Sequence, residues 1–184
     1  MLLGLGLGVA MAGVVAMAGA AHQADAAASN EKIVFASNRT TGAGVDNPTG
    51  DQEIFKMNPD GTGVRQLTFN TVSDYGPVLS PDGVKIAFIS SGIQPSNPEG
   101  DSEVYRVNAA DGRVRNLSDN GSGVGDSVPA FSPDGTRIAY QSYGAQNSNL
   151  GGDSEIYRVN ATDGTNNKNL TNNGTGIYDT IFPD

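Results

Sequence analysis

SPDGTRIAYQS (132–142) is followed by DSEIYRVN (153–160), an Asp-Gly at 163–164 and KNLT (168–171). The same series stands earlier as SPDGVKIAFIS (80–90), DSEVYRVN (101–108), Asp111-Gly112 and RNLS (115–118). Earlier still come KIVFAS (32–37), DQEIFKMN (51–58), Asp60-Gly61 and RQLT (65–68). Three copies at a period of about 52 residues make the chain a repeat, and a repeat of that length is one supersecondary unit stacked on its neighbours. Each block reads as a strand. KIAFIS and RIAYQS are short, rich in β-branched and aromatic residues, and bounded by Gly, Asn and Asp, which leaves no room for helices. In DSEVYRVN, Tyr105 and Val107 face one way while Val104 and Arg106 face the other, so both faces of the sheet are to be covered by other sheets. The Asp-Gly pairs supply the positive φ of tight turns.

The unit is a four-stranded antiparallel meander: PVLS, KIAFIS, SEVYRVN, VRNLS. Such sheets, buried face to face in sequence order, stack radially as propeller blades. The predicted fold is therefore all-β, with about three four-stranded antiparallel propeller blades at 32–68, 77–118 and 129–171. The first blade lacks its innermost strand, and TIFPD (180–184) is a candidate closing strand. Three blades fall short of the usual four to eight. One expectation is a homodimer in which each tail completes the partner's first blade, so that the chain is half of a six-bladed ring. The other is that the chain is part of a longer propeller.

SPDG followed by KIAF or RIAY, then DSEIYRVN, an Asp-Gly turn and NLT, resembles the TolB-type (WD-like) β-propeller repeat, from about Lys32 to the C-terminus. That resemblance implies an exported, secreted or periplasmic protein that acts as a protein-interaction platform or as the propeller attached to a hydrolase. The α/β domain that precedes the propeller in TolB has no counterpart here, and no G-x-S-x-G occurs.

Composition narrows the chemistry. There is no Cys, and the single His is His22. His22 lies in an N-terminal run, uncharged from Met1 to Ala21 and followed by Ala24-Asp25-Ala26, which reads as a signal peptide over 1–26 with the propeller in 27–184. The alternative is a membrane anchor, since about 20 apolar residues span a bilayer; after cleavage no membrane insertion is expected. Residues 27–184 then hold neither His nor Cys, which excludes a Ser-His-Asp triad, thiol catalysis and His- or thiolate-ligated metals. A formal net charge of −9 argues against nucleic acid as a partner.

The long loops gather at one end of the meander and carry Asp51-x-Glu53, Asp101-x-Glu103 and Asp153-x-Glu155, each after a Gly. Long loops on a rigid scaffold are where binding sites sit, so these six carboxylates are the candidate ligand-binding face for a protein or glycan partner. Two carboxylates two residues apart on extended chain point the same way, a geometry that suits Ca²⁺ at Asp101, Glu103, Asp153 and Glu155. The competing reading is capping and inter-blade pairing, with Glu103 and Arg106 each meeting a counterpart on the neighbouring blade. No other cofactor is implied. The functional expectation is an exported, non-catalytic scaffold binding protein or glycan through this acidic face; the alternative is the propeller portion of an exported hydrolase or lyase.

Overall fold

The computed structural model describes residues 32–146 and 149–182; the leader, 1–26, lies outside them. Eleven strands are described: β1 (Ile33–Ser37), β2 (Glu53–Met57), β3 (Arg65–Gln66), β4 (Ser73–Leu79), β5 (Lys85–Ser91), β6 (Ser102–Asn108), β7 (Val114–Asn116), β8 (Gly125–Phe131), β9 (Arg137–Tyr143), β10 (Glu155–Asn160) and β11 (Lys168–Asn169). They form a three-stranded sheet β1-β2-β3 and two four-stranded sheets, β4-β5-β6-β7 and β8-β9-β10-β11, all antiparallel and joined in sequence order. Among the described residues there is no helix. The architecture is an all-β partial propeller, and the sheet that lacks a strand is the first.

Register follows the repeat. Phe35 pairs with Phe55, Phe88 with Tyr105, and Tyr140 with Tyr157, with ring centroids 5.6–5.9 Å apart. The Phe88–Tyr105 and Tyr140–Tyr157 pairs lie on the face of their sheet that looks toward the preceding blade. One core joins Phe88, Tyr105, Ile86 and Val107 of blade two to Ile54 and Leu67 of blade one. The other joins Tyr140, Tyr157, Ile138 and Val159 of blade three to Ala87, Ile89, Val104 and Leu117 of blade two. Phe88, Tyr105, Tyr140 and Tyr157 are all buried there. Polar stitches follow the same pattern: Arg65 donates to the Ala110 carbonyl (3.0 Å) and Arg106 to that of Thr162 (3.2 Å). Arg106 thus crosses to the next blade, but to a carbonyl.

The turns are held by their aspartates. Asp60, Asp82, Asp111, Asp134 and Asp163 each accept the N–H two residues on, at 2.9–3.0 Å. Gly61, Gly83, Gly112, Gly135 and Gly164 then take φ of 66–82°. The inner strands β4 and β8 carry a bulge at equivalent places, with φ of +62° at Gly76 and +51° at Val128. Glycine meets that demand without strain; a β-branched residue does so at a cost.

Two stability measurements follow. Tyr105→Ala empties a site filled from two blades and is expected to cost roughly 3–5 kcal/mol by urea unfolding. Val128→Gly restores the residue type that blade two uses at the same bulge. It should leave stability unchanged or raise it by up to about 1 kcal/mol, against the usual loss for Val→Gly.

Candidate functional site

The long loops tie themselves down before they present anything. In β1–β2, β5–β6 and β9–β10 an Asn four residues ahead of the Asp of D-x-E turns back onto it. Asn47, Asn97 and Asn149 donate Nδ2 to the carbonyls of Asp51, Asp101 and Asp153 (2.5–2.7 Å). Their Oδ1 atoms accept the N–H of Gly50, Gly100 and Gly152 (3.0–3.1 Å). These glycines have φ of 71–78°, the left-handed turn that frees the N–H for the Asn. The motif Asn-x-x-Gly-Asp, present three times, is the signal that the sequence carried for this clamp.

The Asp and Glu of each D-x-E then part company. Asp101 and Asp153 accept N–H groups from the loop after the outer strand, Gly123 (3.0 Å) and Gly176 (2.6 Å). Glu53, Glu103 and Glu155 are buried at the seam between blades. Each accepts a hydroxyl, from Thr68, Ser118 and Thr171 respectively, and a backbone N–H, from Asn70 (2.8 Å), Asn120 (3.3 Å) and Asn173 (3.2 Å). Asn70 and Asn120 point their amides at the first strand of the following blade, and Asn173 points its amide at the equivalent place in the segment after β11. Asn70 donates to Asp74 (3.0 Å), Asn120 to both oxygens of Asp126 (3.0 Å), and Asn173 to Asp179 (2.7 Å). A Glu of one blade and an Asp of the next are thus joined through one Asn, and Asp74 and Asp126 are buried with it.

This answers where the six expected carboxylates lie. The structure brings Glu53 to Asp74 and Glu103 to Asp126, and gives both oxygens of each Glu to donors. Glu103 does not reach across to an arginine; among the described residues the ion pairs are Lys85–Asp82 (3.6 Å) and Arg113–Asp111 (3.5 Å), both at turns. No three of His, Cys, Asp and Glu come together as a metal-holding set among the described residues.

Electrostatics match this geometry. Burial, with the neighbouring Asp adding to it, pushes Glu53 and Glu103 up to about 7. Burial also pushes Asp74 and Asp126 up to about 6 against the hydrogen bonds that lower them. The two seams therefore keep protons that exposed carboxyls have lost.

No family model matches the chain. A TolB homolog from Chlorobium luteolum is 48% identical over 42 residues, which is 23% of this chain and 10% of that protein. Among solved structures, TolB from Acinetobacter baumannii superposes with a TM-score of 0.55 at 20% identity, over 79% of this chain and 31% of the other. The structure of putative TolB from Agrobacterium tumefaciens gives 0.54 at 22% identity, over 75% and 44%. Oligogalacturonate lyase from Vibrio parahaemolyticus gives 0.51 at 12% identity, over 72% and 35%. The chain thus has the fold of TolB-like propeller blades, and it spans less than half the length of each of these proteins.

Stability is expected to depend on pH with an unusual sign. Unfolded, these carboxyls titrate near 4–4.5; folded, Glu53 and Glu103 hold their protons to about 7 and Asp74 and Asp126 to about 6. Between those limits the folded state binds more protons, so their contribution is full below about pH 4 and is lost as pH rises toward 7. The turn aspartates act oppositely: hydroxyl and N–H donors pull Asp82 and Asp163 down and Asp134 down to about 2, which favours the fold above their unfolded values. Thermal unfolding should accordingly show a maximum near pH 5 (roughly, from these limits) and a midpoint several degrees lower at pH 8. Glu103→Gln should flatten the descending side.

Proposed function

We propose that this chain is an exported, non-catalytic propeller module that binds a protein or glycan partner through its long-loop end. The observation that carries the reading is what those loops expose once clamped. Phe69 lies in the β3–β4 connection and Ile93 and Leu150 in the equivalent β5–β6 and β9–β10 loops; they are 60%, 75% and 87% exposed. The Asn clamp restrains the loops of Ile93 and Leu150, and the Glu53 carboxylate holds the N–H of Asn70 next to Phe69, which lowers the entropy cost of binding. Acidic side chains, Asp46 and Glu99 among them, stand exposed on the same loops, so a partner with apolar and basic groups fits best.

The D-x-E pairs serve this end from below. Both oxygens of Glu53 and of Glu103 are taken by donors at the seams, so the ligand-facing groups are the loop tips rather than these two. The residues expected to remain after export hold no His or Cys, and this supports a binding role over chemistry. The likeness to an oligogalacturonate lyase favours a second reading, in which these blades are the propeller portion of an exported hydrolase or lyase.

A photo-crosslinking residue placed at Ile93 or Leu150, and at Val114 on the short-turn end as control, tests the proposal in the producing cell. Discrete adducts from Ile93 and Leu150 but not from Val114 are expected. Adducts from all three alike, or from none, would overturn it. Turnover of an oligogalacturonate by the purified chain would instead promote the second reading.

A further inference from the structure

Blade three turns outward the residues that blade two buries. Leu117 is 2% exposed against blade three, whereas its counterpart Leu170 is 47% exposed. Val124 is 2% exposed and its counterpart Ile177 49%. At the other end, blade one leaves Ile33 41% exposed and Phe35 half-buried, with Phe55 buried beside them; the three correspond to Ile138, Tyr140 and Tyr157, the set that packs on Leu117 within the chain. The two open faces are therefore the two halves of an interface that the molecule already makes internally.

The strand edges agree residue by residue. In blades two and three the inner strand sets Asp74 opposite Ser90 and Asp126 opposite Ser142. The corresponding serine of β1 is Ser37, and among the described residues β1 has no strand on that side. The corresponding aspartate is Asp179, which is already in place on blade three. Its N–H donates to the Ser154 carbonyl (2.8 Å), as that of Asp74 does to Gln52 (2.7 Å), and Asn173 holds its carboxylate as Asn70 holds that of Asp74. Asp179 thus occupies the place that Asp74 and Asp126 hold near the start of β4 and β8, on a segment that forms no strand within this chain.

Arg39 supplies the complementary charge. Blades two and three have Gly92 and Gly144 at its position. Arg39 donates its N–H and Nε to Ser37 Oγ (3.3 and 3.0 Å), and its guanidinium lies 5.0 Å from the centres of the Phe35 and Phe55 rings. A carboxylate arriving opposite Ser37 meets a cation there.

We infer that two copies of this chain associate head to tail, residues 177–182 of one lying along β1 of the other with Asp179 opposite Ser37 and beside Arg39. The Leu170 face of the first then covers the Ile33 and Phe35 face of the second. The contact is heterologous, and two such contacts close a ring of six blades, within the range that propellers adopt. It is looser than the internal boundaries. A Cβ at Gly144 would come within 2.3 Å of the Gly123 carbonyl oxygen, so Arg39 prevents the loop of the second copy from approaching as closely as loop 121–124 does. The strand pairing and the Asp179–Arg39 pair carry more of the contact as a result.

Sedimentation velocity of the purified full chain across micromolar concentrations, with native mass spectrometry for stoichiometry, tests this. Wild type should be dimeric, and Arg39→Asp and Asp179→Arg should each weaken association at least tenfold with far-ultraviolet circular dichroism unchanged. Mixing the two variants, or combining both changes in one chain, should restore it, since each interface then holds one opposed pair. Leu170→Asp, at an exposed position, should dissociate the dimer without lowering the stability of the monomer. A monodisperse wild-type monomer, its β1 edge covered by upstream residues of the same chain, would overturn the inference. So would a dimer indifferent to both charge reversals and to Leu170→Asp.

Discussion

A carboxyl group buried between two sheets must be given donors or keep its proton, and here both happen at each blade seam. Glu53 and Glu103 take a hydroxyl and a backbone N–H from the strand and loop beyond them. The asparagine that offers that N–H uses its amide to hold Asp74 or Asp126 of the next blade. Hydrophobic contact would press one sheet on another at many relative positions, since it has no direction. The Glu–Asn–Asp connection has direction, and it fixes the angle and height at which successive blades meet.

That connection also separates the two ends of the molecule. At the short-turn end the aspartates are exposed and stabilised by their own turns, so each hairpin is self-sufficient. At the long-loop end Asp101 and Asp153 each reach a neighbouring loop, and the Glu of each D-x-E takes donors from beyond its own strand. Rigid loops follow from this, and rigid loops can hold apolar tips such as Ile93 in water without collapse onto the sheet.

Strand order, turn positions and the covering of both sheet faces, Tyr105 and Val107 on one and Val104 on the other, were all legible, because each depends on a period of two and on Asp-Gly chemistry close in sequence. The carboxylates of D-x-E were legible as important, with capping and inter-blade pairing standing beside ligand binding as a reading of them, but their donors were not legible. Their partners, Thr68 and Asn70 for Glu53, lie 15 and 17 residues away in sequence, and hydrogen-bonding residues in loops show no periodicity that marks them as buried. Arg106 shows the same limit. Its face was readable from alternation, but its acceptor is a main-chain carbonyl, and nothing in side-chain identity announces which carbonyl will be free. What could have been seen is recurrence itself, since Asn-x-x-Gly-Asp and Thr/Ser-x-Asn are repeated as faithfully as the strands.

Because each seam takes its Glu and Asn from one blade and its Asp from the next, the self-contained building block is not the four-stranded sheet. It is a block shifted by one strand, running from the second strand of one sheet through the inner strand of the following sheet. Such blocks join like links of identical pitch: inserting or deleting one near 52 residues long leaves every surviving joint with both halves. A cut between complete sheets instead strands an unpaired acid on one side and an unused amide on the other. A chain can lengthen or shorten by whole links without rebuilding any joint.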